Sequence, residues 1–184
     1  MKTLFSIIAV IIFNISNAQK ISKADYANGI YMTDVDFVNQ HLVYGFNKTS
    51  GGNKFIELRE HLHQVWIKAE DSTFKFYFND IWGYRKDGED WRIYDEVAYR
   101  IEDTVKVCIY AVPDFANGAA ATSHFFSKNL TSQVHTLSKN DLLEVYHSNA
   151  AFVEKVKELK WNETIFKWDK KKQQYAFVDW LSKK

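Results

Sequence analysis

The sequence predicts an α+β fold in which an antiparallel β meander curls into a small barrel or roll and is followed by C-terminal α-helices. Three observations carry this. Apolar residues alternate with a period of two from about residue 54 to 112, and an Asp-Gly pair, Asp87-Gly88, separates two alternating runs. The third is a change to helical spacing from about residue 138 to 184.

In chain order, the first element is an address label. Lys2 supplies a positive end, "LFSIIAVIIF" an apolar run, and "SNAQ" a small-x-small cleavage site, so residues 1–18 are expected to be a signal peptide and Gln19 the first residue after processing. The run is shorter than the ~20 residues a transmembrane helix needs, and no other run approaches that length. No cysteine lies at the cleavage site to carry a lipid. The expectation is a single exported domain over residues 19–184, periplasmic or extracellular, without membrane span or lipid anchor. Lys2 is the only charged residue in the leader, so its removal takes the formal net charge from +1 to 0. A domain of this length buries a core without staples, which suits a chain whose one cysteine, Cys108, sits in the apolar run "VKVCIYAV".

"GIYM" reads as a short strand, and Thr33-x-x-Asp36 as a capping box opening a brief helix. Thr49, Ser50, Gly51 and Gly52 mark a loop. "HQVWIKA" sets Val65, Ile67 and Ala69 against Gln64, Trp66 and Lys68, and "TFKFYF" sets Phe74, Phe76 and Phe78 against Thr73, Lys75 and Tyr77. Asp87-Gly88 tolerates the positive φ of a tight hairpin turn, so Ile81 to Arg85 should pair with Trp91 to Tyr94, leaving Lys86, Asp87, Glu89 and Asp90 at a solvated tip. Trp91, Ile93, Val97, Tyr99 and Ile101 stay in phase across a break near Asp95 and Glu96, which expects them on one core face. Val105 to Val112 follows as a strand that Pro113 ends. "DFANGAAATS", containing the Gly118–Ala121 run, is a loop of unassigned role. Ser138 should cap one helix and Ser148 or Asn149 a second with the stripe Phe152, Val156, Leu159; a last helix turns Tyr175, Val178 and Leu181 inward.

"NGIYMTDVDFVNQ", "DIWGY" and "LSKNDLLEVYHSNAAFVEKV" together resemble a group of small exported bacterial proteins of unknown function, with a GIY-x-[TS]-x-x-[DE]-F start, a mid-chain [IL]WGY and a late L[ST]KxN helix. The resemblance implies export and a shared fold and lends no catalytic residue.

Charge is uneven: residues 54–103 carry eight Lys or Arg against twelve Asp or Glu, and residues 160–184 seven Lys against three acids. The basic tail is too small a face, on a neutral exported chain, to expect nucleic acid. Candidate chemistry is sparse. His61 and His63 have the i, i+2 spacing of two ligands on one strand face, with His41 or Glu60 as third, and would serve a small metal-dependent hydrolase, the alternative reading. His124, His135 and His147 are scattered. Asp87, Glu89, Asp90, Asp95 and Glu96 crowd a hairpin and lack the cleft geometry of a glycosidase pair. No glycine-rich phosphate loop, G-x-S-x-G, H-E-x-x-H or EF-hand pattern occurs, so no cofactor is expected. The sequons at Asn47, Asn129 and Asn162 matter only in a glycosylating host. With six tryptophans and ten tyrosines, the rings not assigned to core, Trp82, Tyr84 and Tyr94, are the candidate binding patch of a non-enzymatic envelope or extracellular module, its partner a protein or a glycan.

Overall fold

The structure is a computed structural model describing residues 27–47, 54–69, 71–114, 121–159, 165, 167–172 and 174–181. The expected leader with its cleavage site, the expected loop at Thr49–Gly52, most of the Gly118–Ala121 run and the Asn162 sequon lie outside them.

Eight strands form one antiparallel sheet, and three more a second one. The chain opens with β1 (Ala27–Tyr31), α1 (Asp34–Val38) and β2 (Val43–Asn47), then the small sheet β3 (Phe55–Arg59), β4 (Gln64–Ala69) and β5 (Ser72–Tyr77). The meander continues with β6 (Gly83–Lys86), β7 (Glu89–Tyr94), β8 (Val97–Asp103), β9 (Cys108–Asp114), β10 (Ala121–Ser127) and β11 (His135–Thr136). Helices α2 (Lys139–Val145) and α3 (Ala150–Glu158), a two-stranded ribbon β12 (Trp168–Asp169) and β13 (Gln174–Tyr175), and α4 (Ala176–Leu181) complete it.

Local rules explain many of these ends. Thr33 and Asp36 form the full capping box of α1, Ser138 accepts from Asp141 N to cap α2, and Asn149 accepts from Phe152 N to cap α3. Asp87 (φ 53°) and Gly88 (φ 82°) make the tight turn joining β6 and β7.

The sheet is not a closed barrel. Its order is β11-β10-β9-β8-β7-β6-β1-β2, with β11 and β2 at open edges. Closure would require those edges to pair. Instead β11 is two residues long and runs into α2, while β2 is irregular at Tyr44 (φ 54°). Strands β3–β5 leave the meander and pack as a second layer. Two further expectations change. Pro113 does not end β9: β8 pairs with it only as far as Ala111, so Pro113 sits where β9 has β10 as its one neighbour, a position that tolerates a missing N–H. Tyr175 belongs to β13, and α4 buries Phe177 and Val178.

The break at Asp95 and Glu96 is a two-residue hairpin turn, and this reassigns the faces. Pairing of Ile93 with Ala98 and of Arg92 with Tyr99 puts Trp91 and Ile93 on one face and Tyr99 and Ile101 on the other. The first face carries Ile30, Tyr84, Ile93 and Ala98 against Ile56, Val65 and Ile67 of the small sheet. Farther along that face, Ile109 and Phe126 pack under Leu142, Phe152, Val156, Phe177 and Val178 of the helices. Each of these large side chains contributes about 1.5–3 kcal/mol by burial. The second face holds Tyr99, Cys108 and Tyr110 with Ile101, Phe125, Leu130 and Val134. Cys108 is buried there, as a small apolar residue would be.

Candidate functional site: a cleft at the Asp95-Glu96 turn

At the end of the sheet a cleft of about 390 Å³ opens beside the Asp95-Glu96 turn, with Ile81 and Ile93 of the first-face core on one side and Arg92 and Tyr94 of the second face on the other. Trp82, Arg92, Tyr94, Asp95, Glu96 and Thr131 are among the residues that line it. Its parts are fixed by unrelated pieces of chain. Trp82 precedes β6, and its backbone is held on both sides: its N–H donates to the Tyr31 carbonyl (3.0 Å) and its carbonyl accepts from Ile93 N (2.8 Å). Its indole stacks on Phe37 of α1 at 4.9 Å and donates from Nε1 to the Leu130 carbonyl at 3.2 Å. The loop carrying Leu130 and Thr131 is wound around Asn129, whose Oδ1 accepts from the N–H groups of Thr131 (3.0 Å) and Ser132 (2.9 Å).

Arg92 joins sheet to loop. It is 3% exposed. Nη1 donates to the Tyr110 hydroxyl (2.7 Å) and to Ser127 Oγ (3.1 Å), and Nη2 to the Ser132 carbonyl (2.8 Å). The guanidinium also lies 5.1 Å from the Tyr94 ring centre and 5.6 Å from that of Tyr110. Burial pushes the Tyr110 hydroxyl up to about 12 and raises Tyr99 and the Cys108 thiol, so these neighbours stay neutral near pH 7. Every acceptor Arg92 uses is therefore uncharged, and its Nε–H has no partner.

The rim is strained. Asp95 (φ 47°) and Glu96 (φ 61°) are both left-handed, although neither is glycine. Left-handed backbone costs an ordinary residue about 1–2 kcal/mol, and such strain gathers at functional sites. The other tight turn, with Gly88 in its second position, avoids part of it.

Of the three candidate rings, the cleft brings together Trp82 and Tyr94. Tyr84 is 1% exposed on the opposite face, stacked on Trp91 at 5.8 Å; it pairs with Trp91 in the ladder, whereas Trp82 lies in the bend before β6 and leaves the alternation to reach Phe37 and Leu130. His61 lies in a single 3₁₀ turn, Glu60–Leu62, and His63 terminates it with φ 49°, so the pair does not share a strand face. His63 stands 3.2 Å from Glu96, His41 2.9 Å from Asp36, and among the described residues no three His, Cys, Asp or Glu converge as metal ligands. The hairpin acids are also dispersed. Glu89 faces Arg100 at 3.6 Å. Asp90 is not at a solvated tip: it accepts from Arg85 at Nε and Nη2 (2.7 Å each) and from the Tyr31 hydroxyl (2.9 Å).

Sequence reasoning missed Arg92. The usable signal was the Asp95-Glu96 turn: read as a hairpin rather than a break in one continuous phase, it puts Arg92 opposite Tyr99. A second cationic grouping, Arg59, Lys68 and Lys75 within 5.0, 5.5 and 4.7 Å of the Trp66 ring, is of another kind, since Glu57 pairs with Arg59 and Lys68 on an open sheet face. No family model matches the chain, and no curated protein or solved structure matches it.

Proposed function

We propose that this chain is an exported, non-enzymatic binding module of the cell envelope or extracellular space, and that a protein or glycan partner docks in the cleft through Trp82 and Tyr94. The observation that carries this reading is the convergence of those two rings, held by separate hydrogen-bonded segments, on one solvent-open cleft with a strained rim. Rings fixed in place bind at small conformational cost, and their flat faces suit apolar side chains and sugar rings alike. The leader-like residues 1–18 support export, and among the described residues no helix is long and apolar enough to cross a membrane. The motifs around Tyr31, Trp82 and Leu142 support a fold shared with the small exported proteins they resemble.

The test is retention of the purified protein on isolated envelope fractions and cell-wall glycan. Tyr94→Ala should weaken it by about tenfold, the ~1.4 kcal/mol within reach of one ring, measured well below the melting temperature of the variant, which loss of the ring's packing against Arg92 and the Tyr99–Tyr110 cluster lowers. Equal retention by the parent and by a folded Tyr94→Ala, Trp82→Ala double variant would reject the cleft as the docking site. For export, protein recovered from the envelope should begin at Gln19, and retention of Met1 there would overturn the leader assignment.

A further inference from the structure

A buried cation matched only by neutral acceptors is expensive, because it loses several kcal/mol of hydration that nearby hydroxyls and carbonyls do not restore. Arg92 is such a cation: its bonds run to Tyr110, Ser127 and the Ser132 carbonyl, and it lines the cleft. A guanidinium has five N–H donors. Three are engaged, which leaves one hydrogen of Nη2 and the Nε–H, the latter buried behind the cleft wall without a partner; such paired donors are what both oxygens of a carboxylate accept from, once the cleft admits it to them. The rim adds a selection rule. Asp95 and Glu96 stand at the mouth, and their negative field opposes an anion of higher charge. From these residues, and resting on the reading of the cleft as a binding site, we infer that its ligand is a monoanionic organic carboxylate, its carboxylate on Arg92 and its apolar or aromatic body against Trp82 and Tyr94.

Three probes of similar shape separate the possibilities: benzoate with one charge, benzamide with none and phenyl phosphate with up to two. Each is titrated into the purified chain while the NMR resonances of the Trp82 indole N–H and the Thr131 amide are followed. Benzoate should shift both and bind at least about tenfold more tightly than either analogue, a gap of ~1.4 kcal/mol. Arg92→Gln should erase the preference for benzoate over benzamide. If that variant does not fold, Asp95→Asn serves instead: it removes a rim charge, keeps Arg92, and should narrow the gap between phenyl phosphate and benzoate. Equal binding of benzoate and benzamide would overturn the carboxylate assignment and leave the cleft standing as a site. Failure of all three to move either resonance would overturn the binding site itself.

Discussion

Asp90 shows how far tertiary context changes the consequence of one charge. Replacing it by Asn keeps the shape of the side chain and one carbonyl oxygen but removes the negative charge and one arm of the fork with Arg85. Both partners are largely sheltered, with side chains 17% and 19% exposed, so solvent screens the pair less than an ordinary surface contact. A hydrogen bond to a charged group is worth about 1.5–3 kcal/mol, and Tyr31, whose ring is fully buried, must share the remaining acceptor. Asp90→Asn should therefore cost about 2 kcal/mol, or roughly 4–8 °C in melting temperature for a domain of this size. Glu89→Gln is the control: its contact with Arg100 is 3.6 Å long and its side chain half exposed, so the change should stay within about 0.5 kcal/mol. Denaturant midpoints at neutral pH measure both. A second readout is specific to the mechanism: burial first, and then the Asp90 carboxylate, hold the Tyr31 phenol above the ordinary tyrosine range, so the variant should bring its ionisation down. If Asp90→Asn is as harmless as Glu89→Gln and leaves tyrosine titration unchanged, the Arg85–Asp90–Tyr31 cluster does not hold the hairpin to β1.

Other outcomes follow from single positions. A Cβ on Gly83 would lie 2.1 Å from the Trp91 carbonyl oxygen, so Gly83→Ala should force β6 from β7 and cost about 3 kcal/mol in a chemical denaturation series; a neutral result would refute the close approach of the strands. Gly88→Val places a β-branched residue at φ 82° and should cost about 1–3 kcal/mol by the same assay. Replacing Asp95-Glu96 by Asn-Gly should instead raise stability by about 1 kcal/mol, since it relieves a left-handed Glu and gives up only a half-exposed contact to His63; a destabilised variant would show that the turn is not strained. In alkali, Tyr110 and Tyr146 are held up to about 12 by burial, against about 10 in an unfolded chain. Their contribution is whole below pH ~10 and is lost as pH rises towards ~12, because the unfolded state releases these protons first. Unfolding and the ionisation of these two residues should thus appear together over that interval, and ionisation of Tyr110 or Tyr146 near 10 in the folded protein would contradict it.

The sequence by itself determined what short-range physics governs. Thr33, Ser138 and Asn149 start their helices because a side-chain oxygen three residues away satisfies a free backbone N–H. Asp87-Gly88 turns because glycine carries positive φ without strain, and Val65 and Ile67 face inward because a strand alternates. Tertiary structure decided whatever depends on partners distant along the chain. The Asp95-Glu96 turn carries no glycine to announce it, so the faces of β7 and β8 were legible only once Ile93 was seen opposite Ala98. That one inversion takes Tyr99 away from Trp91 and puts Arg92 beside Tyr110 and Ser127. Tyr84 went to the core and Trp82 to the cleft because their neighbours, Trp91 in one case and Phe37 and Leu130 in the other, come from other elements. Asp90 meets Tyr31 across 59 residues of sequence, a pairing no local pattern encodes. Whether the meander closed was likewise a property of its edges, where the two-residue β11 and the irregular β2 leave a sheet open that alternation alone would have allowed to curl.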